Sequence, residues 1–230
     1  NVTDAFLYSG GSIMPVIDKF YKGPINYYIN THEQNSGHAA TGYAKSSNKT
    51  GVIITTSGPG ATNLVTPALD AQNDSTPLVM ITGQVGLKNM GTDAFQEAPS
   101  TEITKPFTKA SILIEDVRDI KKTIDYAFLL ANEGKKGVVH IDLPKCVSTA
   151  EIDLNDTNSN VFEDETICIS NKNNYIHSNK NCNFYEVSQV INNSKKPILV
   201  LGQGAHDNSE LLKKFIEINS IPFTTTIHAK

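Results

Sequence analysis

A chain of 230 residues, 39% of them hydrophobic, holds enough apolar material to bury one large core or two modest ones. Its 20 Lys and Arg are interspersed with 24 Asp and Glu, for a formal charge of -4, so no basic face exists to track a phosphate backbone; small molecules, not nucleic acid, are the expected partners. No apolar run approaches the ~20 residues that span a bilayer, and the odd cysteine set Cys146, Cys168 and Cys182, without Cys-x-x-Cys spacing, argues against a disulfide framework or a structural zinc site.

Short β-branched runs alternate with longer amphipathic ones along the chain. Helix 14–20 precedes strand 25–29, helix 33–45 precedes strand 52–56, and helix 61–73 precedes strand 78–82. Strands at 111–114 and 138–142 bracket a helix over 117–133. Runs such as Val52-Ile53-Ile54 and Leu78-Val79-Met80-Ile81 are apolar at successive positions, as strands are when helices cover both faces of a sheet. The fold class is α/β with a mainly parallel, doubly wound sheet, and this first domain is placed at residues 1–149.

Residues 150–183 are rich in Asn, Ser, Asp and Lys and read as a linker or surface excursion. After it, helix 184–193, strand 197–201, the turn Gly202-Gln203-Gly204, helix 209–219 and strand 221–227 open a second Rossmann-like α/β domain at 184–230. Two strands and two helices cannot close a doubly wound sheet, so this part is expected to be loosely packed unless more chain follows. The chain begins at Asn1 and stops at Lys230 directly after a strand-like run, and it is expected to be a piece of a longer protein. Its compartment is expected to be soluble and intracellular, cytoplasmic or organellar, with any targeting segment outside these residues.

The chemistry gathers where strands end. His32-Glu33-Gln34 puts a carboxylate at a strand-to-helix junction, where a helix N-terminus favours an anion, and Gly37, Ala40 and Ala44 follow on roughly one helix face. From the triplet alone two readings stay open: a reactive carboxylate, or one that only serves the helix start while the small residues pack against a neighbour. Ser57-Gly58-Pro59-Gly60-Ala61-Thr62-Asn63 joins a buried strand to a helix and leaves backbone exposed to a flat or charged ligand. It lacks the Lys-Ser/Thr pair of a Walker loop. Gly202-Gln203-Gly204-Ala205-His206-Asp207 has Asp where a dinucleotide fingerprint needs a third Gly or Ala, which disfavours an NAD-type reading.

Taken in order, Tyr8-Ser9-Gly10-Gly11, His32-Glu33-Gln34, residues 56–63, Thr82-Gly83-Gln84-Val85, Gly91-Thr92-Asp93-Ala94-Phe95-Gln96-Glu97 and Pro144-Lys145 form a set that resembles the acetohydroxyacid (acetolactate) synthase family. The resemblance covers most of the chain outside the Asn-rich stretch. It implies a thiamine-diphosphate-dependent enzyme that decarboxylates pyruvate and condenses it with a second 2-ketoacid, at the first common step of branched-chain amino-acid biosynthesis. It further implies that Glu33 contacts the aminopyrimidine N1′ of the cofactor, that Gln96 contacts thiamine diphosphate, and that Gly11, Phe95 and Lys145 line the substrate channel. A fixed cation such as Lys145 at a channel mouth attracts a ketoacid carboxylate.

By the same resemblance, FAD in a structural role is expected at Gly202, Gln203, Gly204, Thr226 and Ile227, with Ser75 and Lys135 from the first domain. Lys135 stands where the family has an Arg, and a point-charge ammonium does not reproduce a planar fork of donors. The Mg2+ ligands are expected in a C-terminal domain absent from these residues, so no metal site is assigned to the chain and the fragment alone is expected to be inactive. A homodimer or higher oligomer with active sites at its interface, and a regulatory subunit, are the implied partners. Two alternatives are carried beside this: another thiamine-diphosphate-dependent carboligase, decarboxylase or oxidase, and a non-catalytic relic without the diphosphate-binding domain.

Overall fold

The computed structural model describes residues 2–153 and 183–229, which fall into two compact units. Cys168, Cys182 and most of the expected linker lie outside the described residues. In the first unit the chain runs β1 (Asp4–Leu7), α1 (Met14–Asp18), β2 (Asn26–Ile29), α2 (Glu33–Ser47), β3 (Gly51–Thr55), α3 (Pro59–Thr62), α4 (Val65–Asn73), β4 (Leu78–Gln84), α5 (Ser100–Thr104), β5 (Ala110–Leu113), α6 (Ile120–Asn132), β6 (Val138–Pro144) and α7 (Lys145–Ser148). The six strands pair in parallel in the order β2-β1-β3-β4-β6-β5. Helices on both faces explain why β3 and β6 are buried at every position.

Differences from the sequence reading have local causes. The helix expected over 61–73 is two helices, because Pro67 has no N–H to give to the carbonyl of Asn63 and its ring crowds that carbonyl. Pro67 is therefore tolerated only in the first turn of a new helix. β1 carries no β-branched residue, only the buried Ala5 and Leu7 in an alternating pattern, and it takes its place in the sheet from β2 and β3 on either side. The first three residues of the helix expected from 117 form a 3-10 turn capped by Asp116, whose carboxylate accepts from Arg118 N.

Two apolar clusters cover the sheet. One joins Leu7, Ile13, Ile54, Val79 and Ile141 with α6; the other packs Ala40 and Ala44 of α2 with Leu64, Ala68 and Met80. The second permits close helix approach. A Cβ added at Gly37 would lie 2.4 Å from Pro67 Cγ, so α2 and α4 touch through a position without a side chain.

β6 also carries two polar groups on one face, His140 and Asp142, both at most 1% exposed. Thr82 Oγ1 on β4 lies 2.7 Å from His140 Nε2 and 2.7 Å from Asp142 Oδ1. His140 Nδ1 meets Ser111 Oγ and Thr104 Oγ1, each at 2.8 Å. The other oxygen of Asp142 accepts from Gln84 Nε2 at 2.9 Å. Hydroxyl and imidazole both donate and accept, so the chain is satisfied with the proton on or off Asp142. Burial raises the Asp142 carboxyl to about 7 against the hydrogen bonds from Thr82 and Gln84, and burial lowers His140 to about 3.

The second unit contains α8 (Phe184–Asn193), β7 (Leu199–Leu201), α9 (Ser209–Asn219) and β8 (Phe223–Thr225), with β7 and β8 paired in parallel. Both helices match the sequence reading, and the strands are shorter than expected. Among its described residues only Ile221 is buried, because a two-stranded sheet covers too little surface.

Gly42 lies on the same helix as Gly37 but has nothing within 4 Å of an added Cβ. Gly42→Ala is expected to stabilise by up to about 1 kcal/mol through helix propensity. Gly37→Ala is expected to destabilise by about 1–3 kcal/mol, because overpacking against a proline ring exceeds that gain; urea titration reads both, and equal effects at the two sites would contradict the packing described.

Between pH 3.8 and 6.5 the folded pair holds one proton on Asp142, and the unfolded pair holds one on His140, so together they give stability no pH slope. Asp142→Asn removes the folded-state proton. The unfolded chain then binds more protons than the folded one, and acidification below pH 6.5 should destabilise the variant, relative to its parent, by about 1.4 kcal/mol per pH unit. Parallel stability profiles for the two proteins would refute this assignment.

Candidate active site

All six parallel strands of the first unit point their carboxyl ends to one edge, and the strand order reverses direction between β1 and β3. Open α/β sheets bind ligands outside that edge, at such a reversal. The loops leaving β1 and β3 are locked together there. Ser12 Oγ lies 2.9 Å from Thr56 Oγ1 and accepts from Ser57 N at 2.9 Å. A Cβ on Gly10 would come within 2.3 Å of Thr56 Cβ, so only glycine allows this approach.

Beside this junction β2 ends and α2 begins. His32 is the N-cap in extended backbone, its Nδ1 accepting from Gln34 N at 3.1 Å. The cap duty therefore falls to His32, not to Glu33. Glu33 is 8% exposed, and its Oε2 accepts from Asn63 Nδ2 at 3.0 Å. Its Oε1 faces Gly60, where an added Cβ would stand 3.6 Å away. The small residues that follow are used in packing: Gly37 meets Pro67, and Ala40 and Ala44 are buried. The small face is thus structural, and the Glu33 carboxylate is turned toward the glycine loop and does not serve the helix start.

That loop also meets the segment 91–98. Gly58 sits at φ +57, and a Cβ there would lie 2.6 Å from Gln96 O. Gln96 itself is held at φ +58, an uncommon region for a residue with a side chain. Glu97 shapes the turn that imposes it, its carboxylate accepting from Gly91 N and Ala94 N; these bonds hold the carboxyl below its ordinary value. Glu33 and Gln96 are therefore brought to two glycines of one loop, Gly60 and Gly58.

Of the other expected residues, Gly11 follows β1 and is exposed, Phe95 is 88% exposed beside Gln96, and Lys145 is exposed where β6 ends. All three lie on the carboxyl edge. Ser75 and Lys135 lie on the opposite edge, before β4 and β6, and do not join the group around Glu33. In the second unit, Thr226 N donates to Leu201 O at 2.9 Å, bringing Thr226 and Ile227 to the β7 end where Gly202, Gln203 and Gly204 begin a 3-10 turn. A cavity of ≈ 440 Å³ opens there between Gly202, His206 and Phe223.

In the sequence Asn63 and Gln84 stand out only as members of motifs, and Ser12 and Asp142 do not stand out at all. The signal was a polar residue inside or just past an apolar run, which marks a buried partner but does not name it. Among the described residues no group of three or more His, Cys, Asp or Glu is placed to hold a metal. No described helix is long and apolar enough to cross a membrane.

Residues 1–103 match the family described as thiamine pyrophosphate enzyme, N-terminal TPP binding domain. The chain is 40% identical over 232 residues to the acetolactate synthase large subunit of Corynebacterium glutamicum, covering 100% of this chain and 36% of that protein. It is 39% identical over 236 residues to the mitochondrial acetolactate synthase catalytic subunit of Saccharomyces cerevisiae, covering 99% of this chain and 34% of the relative. With the chloroplastic acetolactate synthase 1 of Zea mays it shares 39% identity over 228 residues, 98% of this chain and 35% of the other. The chain spans about a third of the length of these relatives. Over residues 1–103 the chain is similar to thiamine pyrophosphate enzyme N-terminal domains, and over nearly its whole length it is similar to acetolactate synthase catalytic and large subunits.

Proposed function

We propose that this chain is the first part of an acetolactate synthase, joining pyruvate to a second 2-ketoacid with thiamine diphosphate in branched-chain amino-acid biosynthesis. The observation that carries the reading is the buried Glu33 carboxylate, fixed at Oε2 by Asn63 and turned at Oε1 toward the glycine loop at the sheet's reversal point. The side chains present fit the aminopyrimidine half of the cofactor. A buried carboxyl with one oxygen anchored and the other facing Gly60 can share a proton with a ring nitrogen, while Gly58 and Gly60 let Gln96 and Thr56 close in beside it.

Thiamine diphosphate, when bound, supplies the carbon that adds to the ketoacid. Glu33 holds and moves the proton at Oε1. Asn63 keeps the carboxyl from rotating, Gln96 binds the cofactor from the neighbouring turn, and Lys145 draws the ketoacid carboxylate toward a channel bordered by Gly11 and Phe95. No magnesium diphosphate ligands are assigned among the described residues. We assign those ligands to a further domain and the complete site to an interface between two copies, with a regulatory subunit as a further partner. FAD, in a structural role, is assigned to the glycine turn and Thr226-Ile227 of the second unit, with Ser75 and Lys135 as additional contacts. A cytoplasmic or organellar location is assigned, and the relatives named mitochondrial and chloroplastic support the organellar one.

The experiment uses the full-length protein that carries this chain. Glu33→Gln is expected to lower turnover of pyruvate by about 10²–10⁴-fold with an unchanged circular dichroism spectrum. Near-normal turnover in that variant would remove the assignment. Acetolactate as the product supports the proposed reaction, whereas acetaldehyde or acetyl phosphate replaces it with a decarboxylase or oxidase.

A further inference from the structure

We propose that Gln84 is a positioning residue for the segment that carries Gln96, its side-chain amide tying that segment to the buried Asp142 on β6. The proposal rests on the reading of the site given above and names a residue that supports it from outside. Gln84 is the last residue of β4 and is fully buried, at 0% exposure. One N–H of its amide goes to Asp142 Oδ2 at 2.9 Å, the other to the carbonyl of Ala98 at 2.8 Å, and its Oε1 accepts from Val85 N at 2.8 Å. Every polar atom of this side chain is thus engaged, and its orientation is fixed without ambiguity between O and N.

The consequence falls on the segment 91–98. It leaves the sheet after β4 with a 3-10 turn, Leu87–Asn89, and returns at α5, and Gln96 stands two residues before the carbonyl that Gln84 grips. Three attachments define its course. Glu97 gathers Gly91 N and Ala94 N from within, Gly58 meets the Gln96 backbone from the side, and Gln84 holds Ala98 from the sheet. Only the last connects the segment to the interior through a side chain. Beyond Ala98, Thr104 of α5 meets His140, so the same pair of β6 residues anchors both ends of the stretch 98–104.

Gln96 needs such an anchor because its φ of +58 is disfavoured for a residue with a side chain and persists only where the surroundings impose it. If Ala98 were released, Gln96 would relax toward ordinary backbone and leave Gly58. Gln84 is fully buried, and the carbonyl of Ala98 is the atom of this segment that it holds, so its effect on the site runs through Ala98.

The test compares two substitutions in the full-length protein. Gln84→Met keeps the side chain's length but removes both donors, leaving Ala98 O and Asp142 Oδ2 without them. Thr82→Val cuts the link between Asp142 and His140 while leaving the Ala98 bond, and serves as the control for general loss of core polarity. Hydrogen exchange at the amides of Ala94, Glu97 and Ser100, which bond within the segment or at its exit, reads the anchor without any ligand. Calorimetric titration with thiamine diphosphate and Mg2+ reads the site.

Gln84→Met is expected to speed exchange at these amides and weaken cofactor binding, each by about 10-fold or more, while Thr82→Val changes neither despite a lower Tm. Unchanged exchange in Gln84→Met overturns the anchor, and faster exchange with unchanged binding overturns the positioning role. Equal weakening by both variants assigns the effect to the core at large and likewise overturns it. Should Gln84→Met not fold, Gln84→Asn makes the same comparison, since it keeps an amide against Asp142 but falls a methylene short of Ala98. A wild-type protein that binds no thiamine diphosphate refutes the reading of the site itself, and is distinguished from these outcomes because it needs no variant.

Discussion

The site depends on a backbone contact in which side chains have been removed. Where β1 and β3 part, Gly10 lies against Thr56, Ser12 bonds to both Thr56 and Ser57, and Gly58 lies against Gln96. A Cβ at Gly10 or Gly58 would come closer than 3.0 Å to its neighbour, a separation that packed atoms do not tolerate. Three loops from three strands are in this way held within one crevice. The parallel sheet makes that possible, because it sends the ends of β1, β2, β3, β4 and β6 to the same edge, whereas hairpins would have returned each chain at once.

Electrostatics around the crevice divides into two zones. At its floor, Glu33 is buried but keeps an oxygen directed at the glycine loop, while Asn63 restrains the other. Behind it, the chain from Ser111 through His140, Thr82, Asp142 and Gln84 to Ala98 lies within the sheet, where a charge is costly and a fully bonded network is rigid. The pair in that chain holds a single proton across the mildly acidic range, so neither a bare carboxylate nor an imidazolium has to be stabilised in the apolar interior. This proton sharing reconciles a buried Asp and a buried His with a core that is otherwise Ile, Val, Leu and Ala.

The second unit presents a different balance. Its strands and helices have the pattern of an α/β layer, yet Phe184, Tyr185, Val190, Val200, Leu211 and Ile227 are exposed among its described residues. A two-stranded sheet with two helices offers too little area to cover them. The glycine turn and Thr226 nonetheless meet at the carboxyl ends of two parallel strands, the position at which such layers take their ligands.

Most of the α/β alternation was legible along the chain, because continuous apolar runs such as Val52-Ile53-Ile54 announce strands buried on both faces, and α8 and α9 fall where their periodicity puts them. Glu33, the glycine loop and Gln96 were legible as motif residues and through their resemblance to a known family. β1 was not, since four residues with one Asp, one Ala and no β-branched side chain carry little local β signal and become a strand between two neighbours. Nor was the break before Pro67 in the expected helix, which depends on one missing N–H. Sequence alone determined which residue types stand at the strand ends. Tertiary structure decided that Glu33 pairs with Asn63 and that Asp142 reaches Ala98 through Gln84. Those pairings join residues between 14 and 58 positions apart, and only the order of strands in the sheet brings them within a hydrogen bond's length.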